Sequence, residues 1–223
     1  MSATDKLNAL LAHAGARAKS SKRGTLVSLV ERIRPIDPLT ALENAARSSI
    51  ASPEIADLMG TRMYWTRPSD NFALAGLGSA ITFTPEGADR FATIDREWSA
   101  LLADAVVEDP SNGAAGASPV LMGGFAFDPE GPRTEVWTDF PAAYMFVPTL
   151  QLTQTDDVCW LTTNILVDAN GLPGTTVARL ARLRAAAVEG GSPTQSEYVS
   201  SGYTRDPQIL TDVRDADDWR ATV

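Results

Sequence analysis

PAAYMFVPTLQLTQTDD (141–157) runs directly into VCWLTTNILVD (158–168), and the reading of this pair decides the fold class. Both segments are rich in β-branched, aromatic and aliphatic residues, and Thr155-Asp156-Asp157 between them reads as a turn. Strands joined by so short a link pair antiparallel, because a parallel partner needs a crossover of about a dozen residues or more. Downstream, 175–188 carries Val177, Leu180 and Leu183 at helical spacing. Upstream, VLMGGFAFDPEGP (120–132) reads as a buried strand ending in a turn, and EDPSNGAAGASP (108–119) as a mobile loop.

Further out, Phe91, Ile94, Trp98, Leu101, Leu102 and Ala105 mark an amphipathic helix over 87–106. RMYWTRP (62–68) and NFALAGLGSA (71–80) form a hairpin through Pro68-Ser69-Asp70-Asn71, followed by ITFTP (81–85). TLVSLVERI (25–33) reads as a strand, and Asp37-Pro38 as the N-cap and first turn of a helix to about Arg47. Residues 4–18, with Leu7, Leu10, Leu11 and Ala14, read as a short helix or a frayed arm. From 190 to about 214 the chain is linker-like. DADDWRATV (215–223) then opens a helix capped by Asp217 or Asp218, with Trp219 starting its apolar face. So short a helix has no independent stability, so the sequence reads as one cut within an element. Several consecutive strands with a few helices and no internal repeat predict an α+β fold with a largely antiparallel sheet.

The 223 residues, 44% hydrophobic and 21% charged, fit a globular domain with a real core. No apolar run reaches the roughly 18 residues that span a bilayer. The opening MSATDKLNALLAHAGARAKSSKR places its charges after its apolar patch, unlike a secretory signal, so a cytoplasmic protein is expected. A net charge of −9 argues against nucleic acid as partner. All three lysines, Lys6, Lys19 and Lys22, lie in the first 22 residues, and His13 is the single histidine. Arginine stays protonated, so from residue 23 onward there is neither a lysine nor an imidazole to serve as general base.

The local motifs favour structure over chemistry. Gly76-Leu77-Gly78 lacks the third glycine and the following helix of a dinucleotide loop, since Ile81 stands there. Gly123-Gly124, beside Phe125, Phe127 and Asp128, reads as strand glycines that admit a close neighbour; a ligand-facing pair is the functional alternative. Asp156-Asp157 and the acidic tail Asp212, Asp215, Asp217 and Asp218 read as turn and cap residues rather than metal ligands. Cys159, in VCWL, reads as a buried strand residue, and neither it nor His13 has a zinc-ligand spacing. Ser28, Ser79 and Ser99 lack a histidine that could complete a hydrolytic triad.

Taken in order, LVSLVERIRPIDPLTAL (26–42), RMYWTRPSDNFALAGLGSA (62–80), GGFAFDP (123–129), FPAAYMFVPTLQLT (140–153) and WLTTNI (160–165) resemble isochorismate synthases of the menaquinone and siderophore type. DDWRATV resembles the helix that opens their chorismate-binding region. The resemblance implies the N-terminal half of the chorismate-utilising fold, similar to anthranilate synthase component I. It divides the chain into a helix or arm (1–24), an α+β scaffold (25–190), a linker (191–216) and the start of a chorismate-binding domain (217–223). It implies conversion of chorismate to isochorismate with Mg²⁺, water adding at one ring carbon as hydroxide leaves another. In that family the base is a lysine in a K-V-V-L-A-R-like strand beyond the W-x-x-x-V helix, and glutamates further on serve as acid and metal ligands. No catalytic, cofactor-binding or metal residue is therefore assigned in this chain, which is expected to be inactive alone and to self-associate. Salicylate synthase and the large subunit of anthranilate synthase are neighbouring readings. A non-catalytic module that pairs with a separate catalytic half is the rival from another class.

Overall fold

The computed structural model describes residues 2–128 and 140–189. The linker, the terminal helix, the acidic tail and the end of the 120–132 segment lie outside the described residues.

Two local signals set the N-terminal elements. Ser2 and Asp5 form a capping box that opens α1 (Ala3–Ser21). The helix is longer than 4–18 and is no frayed arm, because Leu7, Ala14 and Ala18 are buried. Strand β1 (Thr25–Ile33) follows, and then Asp37 accepts hydrogen bonds from the amides of Leu39 and Thr40 to cap α2 (Pro38–Ala51). A one-turn helix α3 (Pro53–Ala56) and a 3-10 turn (Asp57–Met59) lead to the hairpin of β2 (Arg62–Arg67) and β3 (Phe72–Leu77). The hairpin turn is Pro68–Asp70 with Asn71 left-handed at φ 47°, as the sequence predicts.

The remaining elements are β4 (Ile81–Phe83), α4 (Arg90–Ala103), β5 (Val106–Glu108), β6 (Met122–Phe125), β7 (Ala143–Val147), β8 (Leu150–Thr155), β9 (Val158–Val167) and α5 (Thr176–Glu189). They build a six-stranded sheet in the order β2-β3-β8-β9-β1-β5 and a three-stranded sheet in the order β4-β7-β6. Every pairing is antiparallel except β1 with β5, so the α+β, largely antiparallel expectation holds.

One expected strand is in fact two. The 141–157 segment divides at Pro148-Thr149, β7 joining the small sheet and β8 the large one. Proline has no N–H for a ladder, which makes this the natural place for the chain to change sheets. Helix α4 begins at Arg90, after Gly87 at φ +81°, and Ala105 falls beyond its end, just before β5. The three-residue β5 itself is too short to carry a period in sequence.

One face of the large sheet is apolar and covered by helices. Leu77, Leu150, Leu152 and Leu161 pack under Ala41 and Ala45 of α2 and Leu183 and Ala187 of α5. Val27, Leu29, Ile165 and Val167 continue that face under Leu7 and Ala14 of α1. Each fully buried leucine contributes about 2 kcal/mol. On the other side, Leu74 of β3 meets Met122 and Phe146 of the small sheet, whose far face carries α4 through Phe83, Ile94, Ala143 and Val147. Among the described residues no helix is long and apolar enough to cross a membrane.

Candidate functional site

The second face of the large sheet is where the polar groups gather. Side chains alternate along a strand, so residues between the buried leucines point away from the helices. Ser28, Gln151, Thr153, Thr162 and Asn164 occupy that face and are all buried. They are fully used. The Ser28 hydroxyl donates to Asn164 Oδ1 at 2.7 Å, and Asn164 Nδ2 donates to the Pro148 carbonyl at 2.8 Å. Gln151 Nε2 donates to the carbonyls of Gly116 and Ser118, and its Oε1 accepts from the Val120 amide. Thr153 donates to the Gly116 carbonyl and Thr162 to that of Ala117.

The object of these bonds is the stretch that composition marks as a mobile loop. It is instead clamped onto the sheet, with Ala117 completely buried. Asn112, Gly113 and Gly116 turn it with positive φ, and a Cβ on Gly116 would meet the Phe72 ring at 2.9 Å. Asp109 anchors its start, accepting from the Ser111 amide at 2.8 Å and from the Ser118 hydroxyl. Burial pushes the Asp109 carboxyl up, but the hydrogen bonds from Ser111 and Ser118 outweigh it, so the group sits below the ordinary aspartate value. No sequence motif announces the clamp. The alternation Leu-Gln-Leu-Thr in β8 ordinarily marks a strand with one wet face, and only the covering loop reveals that both faces are dry.

The motifs singled out in sequence separate cleanly. Gly76 and Gly78 serve packing: a Cβ on Gly76 would lie 2.6 Å from Met122 Sδ, and Gly78, at φ +68°, would press on the Leu58 carbonyl. Gly123 likewise admits a neighbour, at φ +148° with a Cβ position 2.0 Å from the Tyr144 carbonyl, whereas Gly124 is exposed and faces open space. Asp156 is left-handed, at φ 51°, in the β8–β9 turn, where its amide donates to the Asn71 carbonyl. Cys159 is buried, donates to the Ile36 carbonyl and accepts from the Ile36 amide. Burial chiefly, with the nearby Asp37 charge, pushes its thiol up, so it stays protonated.

The titratable groups do not converge. Ser28 lies on the polar face, His13 is exposed on α1 over the opposite face, and Ser79 bonds the Ile81 carbonyl. Lys6 pairs with Glu108 at 2.6 Å, which raises its pKa, while Lys19 and Lys22 are exposed. Among the described residues no three of His, Cys, Asp and Glu stand close enough to hold a metal ion. A Mg²⁺ ion therefore does not fit the donor set of the described elements.

A family model described as chorismate binding enzyme matches residues 10–223. The chain belongs to the chorismate-binding enzyme family. Among chorismate-binding relatives, the isochorismate synthase MenF of Bacillus subtilis is 26% identical over 214 residues, covering 93% of this chain and 41% of its own length. The salicylate biosynthesis isochorismate synthase of Pseudomonas aeruginosa is 35% identical over 131 residues, covering 59% of this chain and 24% of its own length. The chain thus spans less than half of the curated relatives it matches. A solved structure of the menaquinone-specific isochorismate synthase MenF from Escherichia coli matches 82% of this chain and 33% of its own, at 14% identity and a TM-score of 0.40.

Proposed function

We propose that this chain is the scaffold portion of an isochorismate synthase, which converts chorismate to isochorismate with Mg²⁺ in the cytoplasm. The observation that carries the reading is the ordered likeness over residues 10–223 to a family whose relatives matched here are both isochorismate synthases. The base for the attacking water, the acid for the leaving hydroxide and the metal ligands come, in this proposal, from polypeptide outside residues 1–223. Two features support that division. There is no lysine after Lys22, and Gln151, Thr153 and Thr162 of the large sheet are consumed in holding a loop rather than left free for substrate. The division into arm, scaffold (25–190), linker (191–216) and the start of a chorismate-binding domain (217–223) is part of the same proposal, as is self-association of the isolated chain through exposed Phe91, Phe125, Phe127 and Phe140.

One comparison tests it: residues 1–223 alone against the whole natural gene product, both incubated with chorismate and Mg²⁺ and sized by light scattering. Isochorismate should form with the natural protein, disappear with EDTA, and be absent with residues 1–223, which should run larger than a monomer. A natural protein that leaves chorismate unchanged overturns the activity. A monomeric, dye-silent 1–223 overturns the self-association.

A further inference from the structure

The loop clamped on the sheet reverses direction at Ser111-Asn112-Gly113-Ala114. The Ala114 amide donates to the Ser111 carbonyl at 3.2 Å, and Asn112 and Gly113 stand at φ 54° and 81°. Two left-handed residues inside one such bond make a type I′ turn, for which Asn-Gly is a favoured pair. The sequence holds one other Asn-Gly, Asn170-Gly171, in the turn after β9. There the Asn170 amide donates to Asp168 Oδ1 at 2.6 Å, and the Gly171 amide donates to the Asp168 carbonyl at 3.1 Å. At the first pair, no hydrogen bond among the described residues holds the Asn112 side chain or the Gly113 amide. Both residues are exposed, and nothing lies within 4 Å of where a Gly113 Cβ would be.

We infer that Asn112 is a self-modifying site, whose conversion to aspartate and isoaspartate unlatches the loop from the sheet. The Gly113 nitrogen gives up its proton to solvent base and bonds to Asn112 Cγ, closing a five-membered ring. The Cγ–Nδ2 bond breaks, and ammonia leaves with a proton taken from water. Water then adds to either carbonyl of this succinimide and opens it, leaving aspartate, or isoaspartate with the main chain routed through Cβ. Ring closure requires the Asn112–Gly113 peptide to swing toward the side chain. The 3.2 Å bond of Ala114 resists that swing, whereas at Asn170 two bonds resist it and the attacking nitrogen makes one of them. Isoaspartate lengthens the main chain by one atom inside a turn that has no room for it. The turn then no longer aims the Gly116 and Ala117 carbonyls at Gln151, Thr153 and Thr162.

The test ages the natural protein in mildly alkaline buffer made with heavy-oxygen water, which marks each conversion before digestion. The peptides carrying Asn112 and Asn170 are then followed by mass spectrometry. Unfolded in urea, both pairs should convert at similar rates, which calibrates the readout. In the folded protein Asn112 should outpace Asn170 about fivefold or more, the factor that one additional hydrogen bond supplies. Aged protein should lose hydrogen-exchange protection at the Ala117 and Val120 amides, both bonded in the clamp. Asn112→Gly keeps the left-handed turn and removes the reacting amide, so it should age without that loss. A folded Asn112 that converts no faster than Asn170 overturns the site. Conversion that leaves the Ala117 and Val120 amides protected overturns the unlatching. Both outcomes are independent of the isochorismate synthase reading.

Discussion

The two faces of the six-stranded sheet solve the same problem by different chemistry. On the helix side, Leu152 and Leu161 are buried by side chains of α2 and α5. On the other side, Gln151, Thr153 and Thr162 sit in equivalent positions and are buried by backbone. An apolar face is non-directional and accepts any helix of suitable shape. A polar face tolerates burial only where each donor finds an acceptor, so it selects one path for the chain that covers it. The lesson is that the helix face supplies stability and the loop face supplies placement.

The contrast can be broken most forcefully from the helix side. Leu161→Ala should lower the unfolding free energy by about 3 kcal/mol, as a cavity at a fully buried site does, measured by urea denaturation, with the loop amides of 116–120 losing protection only as the whole domain unfolds. Next in size, Gln151→Leu should cost about 2 kcal/mol, because the Ser118 carbonyl and the Val120 amide lose their partner inside the fold and the Gly116 carbonyl keeps only Thr153. Here the loop amides should lose hydrogen-exchange protection before the strands do. Equal and simultaneous loss across the domain would show that the clamp is no separate unit.

The smallest effect sharpens the comparison by pH. Asp109 is held below its ordinary value in the fold, so its contribution is present above the unfolded aspartate pKa and is lost as pH falls through the folded one. Asp109→Asn should therefore destabilise by about 1 kcal/mol at pH 7. The gap to wild type should close as the pH falls below about 4. A gap that is constant from pH 7 to pH 3 would assign the whole effect to shape and none to charge.

Much of the scaffold was legible because its signals are local. Asp37-Pro38 caps α2, Pro68–Asn71 turns the hairpin, and the apolar period of 175–188 becomes α5. The division of 141–157 was not, although Pro148 marks it, because an apolar run looks the same whether it serves one sheet or two. The clamp was invisible for a related reason. Gly, Ala, Ser and Asn describe a loop's flexibility when free, and only the three-dimensional approach of Gln151 and Thr162 removes that freedom. As for chemistry, the residue inventory spoke through what it lacks: a lysine-free stretch beyond residue 22 points away from a base in this portion.

The pairing of β1 with β9 has a consequence for synthesis. Ser28 and Asn164, joined by a hydrogen bond across the centre of the sheet, are 136 residues apart. On a ribosome adding about 5–20 residues per second, the apolar strand that carries Ser28 waits on the order of ten seconds or more for its partner. Through that interval TLVSLV has neither its antiparallel neighbour nor the α5 cover that follows it. For that long the apolar strand depends on staying clear of other exposed strands, since unpaired edges of this kind are what aggregate during synthesis.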